Sequence, residues 1–133
     1  MKAIFGQINF SYNWNRKLNC KYFTTVRLKS EKYQIGRVYD INYSQGSHLE
    51  KIMTAEIERI FPFFLKDWKD VFSLDTGYDP LDSKTLIMNM YKNKEINWET
   101  QMLYFIMMQE KERNQFIDHQ DTLQKAIPYH KVG

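Results

Sequence analysis

Short runs in which apolar and polar positions alternate fill the first half of the chain, and stretches with helical spacing come only after them. Residues 3–10, 22–29, 38–43 and 51–60 are rich in β-branched and aromatic side chains and are separated by polar or glycine-containing turns, which predicts four strands. Gly36 and Ser44-Gln45-Gly46-Ser47 punctuate them. In the fourth run Met53, Ala55 and Ile57 alternate with Thr54, Glu56 and Glu58, the period of two of a strand with one buried face. Residues 64–71 predict a short helix. A better signposted helix starts at Pro80: Asp79 can cap it, proline suits its first position, and Asp82 lies in its first turn beside the positive dipole end. Leu86, Ile87, Met90 and Tyr91 form one stripe along it, predicted to face the core.

Residues 100–109 contain the run Met-Leu-Tyr-Phe-Ile-Met-Met and read as a strand buried on both faces. Residues 110–133 are polar, with Phe116, Ile117, Leu123 and Ile127 too sparse for a core element, and predict a terminal helix with a frayed end. Strands first, then helices, then one returning strand predict an α+β domain on a small mixed or antiparallel sheet. Closing that sheet into a barrel would remove its exposed edges. Neither a repeat nor a low-complexity tract nor a linker interrupts the 133 residues, so one domain is expected, with 1–109 as its body and 110–133 as a helical extension or tail.

Composition narrows the chemistry. Hydrophobic (43%) and charged (26%) fractions are ordinary, but nine Phe, nine Tyr and three Trp exceed what a small core requires, so some rings are expected at a ligand. Cys20 is the single cysteine, which excludes an internal disulfide and a thiolate zinc site and points to a reducing, cytoplasmic setting. No signal-peptide run and no apolar stretch of roughly 18 residues occurs, so no membrane contact is expected. His48, His119 and His130 are scattered, without an i, i+4 pair or a carboxylate cluster, and neither a metal nor a cofactor is predicted.

Charge is distributed unevenly. Residues 1–37 carry eight basic side chains (Lys2, Arg16, Lys17, Lys21, Arg27, Lys29, Lys32 and Arg37) against Glu31 alone, whereas the remainder carries 11 basic and 15 acidic. Such an asymmetry fits either a phosphate footprint or a set of solvated lysines. Along the strand at 22–29, Tyr22, Thr24, Val26 and Leu28 share the mostly apolar face expected to meet the core. Phe23, Thr25, Arg27 and Lys29 share the other, which shows a hydroxyl and two cations on a rigid support, a layout for an anionic or hydrogen-bonding ligand or else a solvated face. Tyr12, Trp14, Trp68 and Trp98 could stack on bases or serve as core and rim aromatics; Trp14, next to Arg16 and Lys17, is the ring best placed to stack.

Lys21 followed by Thr24-Thr25-Val26-Arg27, then Tyr33-Gln34-Ile35-Gly36 and the strand Arg37 to Ile41, resembles the opening of ASCH domains, a branch of the PUA-like superfamily. Leu74-Asp75-Thr76-Gly77-Tyr78, a helix ending in Met90-Tyr91, and Ile96-Asn97-Trp98 before an apolar strand are similar to the second half of some members. Asn19-Cys20 stands where the family has its glycine, and Tyr22-Phe23 adds a residue between the lysine and the Thr-x-Arg pair. The resemblance implies a PUA-like small β-barrel of mostly antiparallel strands with two or three packed helices, a cleft between them, and recognition of RNA or a nucleotide-like ligand. It also implies, for some small members, amidohydrolysis of acylated cytidine by a lysine, a threonine and a glutamate. Here those places fall on Lys21, Thr25 and, for the glutamate, near Asp75 or Thr76, so that the acid is shortened or missing, with Asp75 as the candidate.

Leu74-Asp75-Thr76-Gly77 also spells the aspartic-protease signature, but the only glycine after Gly77 is Gly133, and a capped helix at Pro80 is foreign to that all-β fold. Asp75 is expected to shape a turn, with Gly77 at positive φ. The sequence therefore predicts an RNA-binding module whose basic cleft is floored by Thr25 and Arg27 and rimmed by Lys21, Lys29, Trp14, Arg16 and Lys17. The rivals are a hydrolase using Lys21, Thr25 and Asp75, and a protein-interaction domain using the surplus aromatics.

Overall fold

The structure, a computed structural model, describes residues 2–114. Five strands form one sheet: β1 (Ile4–Phe10), β2 (Tyr22–Leu28), β3 (Val38–Gln45), β4 (His48–Phe64) and β5 (Met102–Arg113). Their order is β1-β3-β4-β5-β2, antiparallel throughout except for the parallel β1–β3 pair. One α-helix, α1 (Pro80–Met90), and three 3-10 segments (Trp14–Asn19, Leu65–Asp67, Asp70–Asp75) complete the α+β fold. Among the described residues no helix is long and apolar enough to cross a membrane.

β4 extends beyond the expected 51–60 at both ends. On one side it joins β3 through a tight hairpin in which Gln45 faces His48 and Gly46 adopts a φ of 65°, a conformation that two-residue hairpin turns demand and glycine supplies without strain. On the other it runs on to Phe64 paired only with β5, so Pro62 withdraws no hydrogen bond from β3. The helix expected at 64–71 is absent. Two 3-10 turns stand there instead, separated by extended backbone at Trp68 (φ −56°, ψ 131°) and Lys69 (φ −105°, ψ 147°). Packing overrides propensity: Phe63, Trp68 and Phe72 form a mutual ring cluster with centroids 4.3–5.7 Å apart, and Trp68 Nε1 donates to Ser73 Oγ at 3.0 Å.

Period-two alternation on β5 divides the interior into two cores, as the doubly buried reading of that strand requires. Ile106 and Met108 join Ile8, Tyr39, Ile41, Met53, Ala55 and Ile57 on one face; Leu103 and Phe105 join Val26, Phe63, Phe72 and Ile87 on the other. The Met53, Ala55, Ile57 face of β4 is fully buried, as its pattern predicts. β2 departs from its expected sidedness because residues of both faces, Phe23 and Thr25 on one and Val26 on the other, are buried. Phe23, placed on the open face by alternation, is buried in the first core, while Tyr22 is 61% exposed. Residues 110–113 continue β5 rather than start a helix, carried on by pairing with β4 as far as Met53 opposite Arg113. The rest of the expected tail, 115–133, lies outside the described residues.

The expected barrel does not close. β1 and β2 remain the two edges of the sheet, with no ladder between them. Their approach is filled by side chains: the Phe10 and Phe23 rings meet edge to face at 6.2 Å, and Arg27 Nη2 donates to the Asn9 carbonyl at 2.7 Å. Rings and a guanidinium at this seam take the place of backbone pairing, which needs strands about 4.8 Å apart. Among the described residues α1 is the one α-helix, and its start matches its sequence signals: Asp79 accepts from Asp82 N at 2.8 Å, with Pro80 as the first helical residue. Asp79→Ala is expected to cost about 0.5–2 kcal/mol and Asp79→Asn far less, read as the shift in midpoint of a urea unfolding curve. Equal losses in both variants would assign the effect to the carboxylate's charge rather than to the cap.

Candidate functional site

A cavity of about 490 Å³ opens where the ends of β1 and β2 face α1. The segment Trp14–Asn19 forms one wall and is held in an unusual shape. Asn15 (φ 56°) and Arg16 (φ 53°) are consecutive left-handed residues, each costing roughly 1–2 kcal/mol for a side chain with a Cβ and less for asparagine. Local hydrogen bonds offset this. The buried Asn13 accepts from Leu18 N at 2.8 Å and donates to Asn19 Oδ1 at 2.6 Å, and Asn15 Nδ2 donates to the Leu74 carbonyl at 3.0 Å. Gly77, at φ 81° as expected, packs so closely on Asn15 that a Cβ there would lie 3.0 Å from it. This clasp sets the Trp14–Asn19 segment against the turn that carries Asp75.

The contact it produces is a buried ion pair. Lys17 Nζ donates to Asp75 Oδ1 at 2.7 Å, with the two side chains 7% and 6% exposed, and Thr24 Oγ1 donates to the same oxygen at 2.9 Å. Burial lowers the Lys17 pKa from the ordinary 10.5; the charge and hydrogen bond of Asp75 oppose this, and the Arg27 guanidinium reinforces it. Arg27 is the second cation of the cavity. Its Nε donates to Thr25 Oγ1 at 2.9 Å, its Nη2 holds the Asn9 carbonyl, and its Cζ stands 4.8 Å above the Phe10 ring, which also carries Lys17 Nζ at 5.2 Å. No carboxylate pairs with Arg27 among the described residues. Lys32 feels the same field: burial and then Arg27 lower its pKa.

Rings and apolar side chains complete the walls. The Tyr12 and Trp14 rings meet at 4.4 Å with their planes tilted by 46°, Tyr78 supports Trp14 edge-on at 6.1 Å, and Leu86, Met90 and Tyr91 line the side made by α1. The α1 stripe, expected to face the core, thus splits: Ile87 is core, and its neighbours are cavity wall.

Of the residues singled out in the sequence, Trp14, Lys17, Thr25, Arg27 and Asp75 come together around this cavity. Lys21, Lys29 and Arg16 are exposed and do not line it; Lys21 contributes its backbone carbonyl to Glu110 N and Lys29 its N–H to Met102. The lysine beside Asp75 is therefore Lys17, and the threonine touching Asp75 is Thr24, on the strand face opposite Thr25. Sequence reasoning also missed Asn9, Phe10 and Tyr91. The density of asparagines at 13, 15 and 19 is the local signal for a side-chain-capped loop, but nothing local pairs that loop with residue 75. Among the described residues no three His, Cys, Asp or Glu side chains gather as a metal site.

The pair has a measurable pH signature. Lys17 holds its proton less tightly folded than unfolded, so its contribution to stability improves as pH rises toward 10.5. Asp75→Asn removes the charge that favours the protonated lysine, leaving only an amide oxygen to accept from it, and is expected to cost about 3–5 kcal/mol near neutrality. The deficit relative to wild type shrinks as pH rises, because a neutral amine no longer needs the carboxylate. Melting curves of both proteins from about pH 7 to about pH 10 check this, and a deficit independent of pH would contradict it.

Comparison with protein-family models, with curated proteins and with solved structures yields no match.

Proposed function

We propose that the cavity binds a nucleobase-bearing anion, a nucleotide either free or as one unit of an RNA strand. The observation that carries this reading is Arg27: a half-buried guanidinium with no carboxylate partner among the described residues, fixed by Thr25 and Asn9 on the floor of a cavity whose walls are the rings of Tyr12, Trp14 and Tyr91. A guanidinium offers five directed donors, of which two are committed here, leaving donors for phosphate oxygens or a base edge. Aromatic walls add stacking without regard to base identity. The volume suits one nucleotide rather than a duplex. The resemblance to ASCH domains adds the same expectation of a nucleotide-like ligand, although the open sheet departs from the closed barrel of that superfamily.

Hydrolysis of an N-acylated cytidine is the second reading, and one observation favours it: a lysine with a lowered pKa, a carboxylate and a threonine hydroxyl in mutual contact at Lys17, Asp75 and Thr24. A hydroxyl bonded to a carboxylate beside an amine whose pKa burial lowers is an arrangement that can activate an oxygen nucleophile. Binding stands first because both threonine hydroxyls are already engaged, Thr24 with Asp75 and Thr25 with Arg27, and Thr24 does not line this cavity.

Titration calorimetry with CMP and with a short single-stranded RNA tests the first reading. Arg27→Ala is expected to weaken both by roughly 10- to 150-fold, the worth of a charged hydrogen bond, and Trp14→Ala by about 1–3 kcal/mol. RNA affinity is expected to fall with salt at a log–log slope of about −0.7 per phosphate contact. Binding unchanged by Arg27→Ala would end this reading. Release of cytidine from N4-acetylcytidine by the wild type, lost in Thr24→Ala and retained in Thr25→Ala, would establish the second in its place.

A further inference from the structure

One carboxylate oxygen of Asp75 is left over from the ion pair. Its Oδ1 accepts from Lys17 Nζ at 2.7 Å and from Thr24 Oγ1 at 2.9 Å, whereas no described residue donates to Oδ2. A carboxylate oxygen offers about two lone-pair positions, so Oδ1 is filled and Oδ2 is open. The Asp75 side chain is only 6% exposed, yet Oδ2 is not sealed in: the fully enclosed, unpartnered side-chain atom among the described residues is Asp40 Oδ1. The space that Asp75 lines is the first cavity. A second cavity, of about 450 Å³, lies on the opposite face of β2, where Tyr22, Met107 and Arg59 stand beside a register shift in β4; Lys17 and Thr24 line it and Asp75 does not. An acceptor placed this deeply without a donor costs free energy that a ligand N–H recovers.

The inner wall of the first cavity therefore sets a donor beside an acceptor. Lys17 Nζ commits one of its three N–H groups to Asp75, and Oδ2 accepts. Arg27 keeps donors for a phosphate on the floor, and the Phe10 ring faces both cations, 5.2 Å from Lys17 Nζ and 4.8 Å from Arg27 Cζ. A nucleotide held by its phosphate at Arg27 and by its ring at Trp14 turns the edge of its base to Lys17 and Asp75. The bases differ in what that edge brings. Guanine presents an acceptor and two adjacent donors (O6, N1–H and the 2-amino group), one for the ammonium and two for the open positions of Oδ2. Adenine and cytosine bring a single amine. Uracil sets its one N–H between two carbonyl oxygens, and at least one of them would lie against the carboxylate.

We propose that Asp75 reads the base in this cavity and that the ligand is a guanine nucleotide, bound unpaired, with N1–H and the 2-amino group on Oδ2 and O6 toward Lys17. This rests on the reading of the first cavity as a nucleotide site and names the base that the site selects. Because the Watson–Crick edge is taken up by the protein, a guanine paired in a duplex is refused.

Calorimetry with GMP and with analogues altered one group at a time tests this without disturbing the fold. IMP, which lacks only the 2-amino group, is expected to bind about 10- to 150-fold more weakly than GMP, the worth of a hydrogen bond to a charged group. N1-methyl-GMP and CMP are also expected to bind more weakly, and 7-deaza-GMP, altered on the opposite edge, to match GMP. Arg27→Ala is expected to weaken GMP and IMP alike and to preserve their ratio. Asp75→Asn is expected to shrink that ratio, because a neutral amide accepts more weakly than a carboxylate. GMP bound no more tightly than IMP, N1-methyl-GMP and CMP would overturn guanine selection and leave the nucleotide site intact, whether or not the Asp75→Asn protein folds. A GMP-to-IMP ratio unchanged in a folded Asp75→Asn protein, or abolished by Arg27→Ala, would take base reading away from Asp75 and likewise overturn the proposal. Binding of none of these nucleotides would remove the first site, and its base preference with it.

Discussion

Lys17 and Asp75 are 58 residues apart in sequence and almost fully buried against each other. Two charges withdrawn from water cost several kcal/mol each unless their geometry is good and their remaining valences are satisfied, and the surroundings supply both. Thr24 gives a second hydrogen bond to the carboxylate oxygen, and the Phe10 ring faces the ammonium. Because the pair joins the Trp14–Asn19 segment, β2 and the turn before α1, three otherwise separate parts of the chain share one position. The left-handed Asn15 and Arg16, the close packing of Gly77 and the buried Asn13 all serve that juxtaposition. Without it the cavity loses its inner wall.

The open sheet is the other half of the arrangement. A closed barrel would join β1 to β2 by backbone hydrogen bonds and leave no room between them. Here the seam is made by Phe10, Phe23 and Arg27, and a guanidinium bridging to the Asn9 carbonyl is both a structural tie and an uncompensated charge facing the cavity. The same side chain thus ties the packing of the seam to the proposed binding site. A cation kept away from carboxylates in a half-buried place is costly for stability alone, and such uncompensated groups concentrate where a ligand supplies the missing charge.

Around the Lys17–Asp75 contact the molecule presents two chemically different cavities. One is walled by rings and the apolar side of α1 and holds Arg27; the other is a flat sheet face carrying Tyr22, Met107 and Arg59. The bulge in β4 and the exposure of β2 at its N-terminal end create the second, and the divided stripe of α1 creates the first. Each depends on a departure from regular alternation, which is why neither is visible as a motif.

What the sequence determined by itself is what short-range physics controls. Period-two alternation placed Met53, Ala55 and Ile57 in the core; Asp79, Pro80 and Asp82 marked the start of α1; the unbroken apolar run of β5 required burial on both faces; and Gly77 marked a turn at positive φ. Thr25 and Arg27 were legible as cavity residues because one strand face carries them both. Tertiary structure decided the rest. Alternation says which residues share a face but not whether the second face is covered, so Phe23 went to the core and Tyr22 to the surface. Aromatic packing around Phe63, Trp68 and Phe72 replaced a helix by two tight turns. Which lysine meets Asp75 depends on two left-handed residues and on a hydrogen bond from Asn15 to Leu74, contacts that bring together positions about 60 apart and that no local pattern encodes.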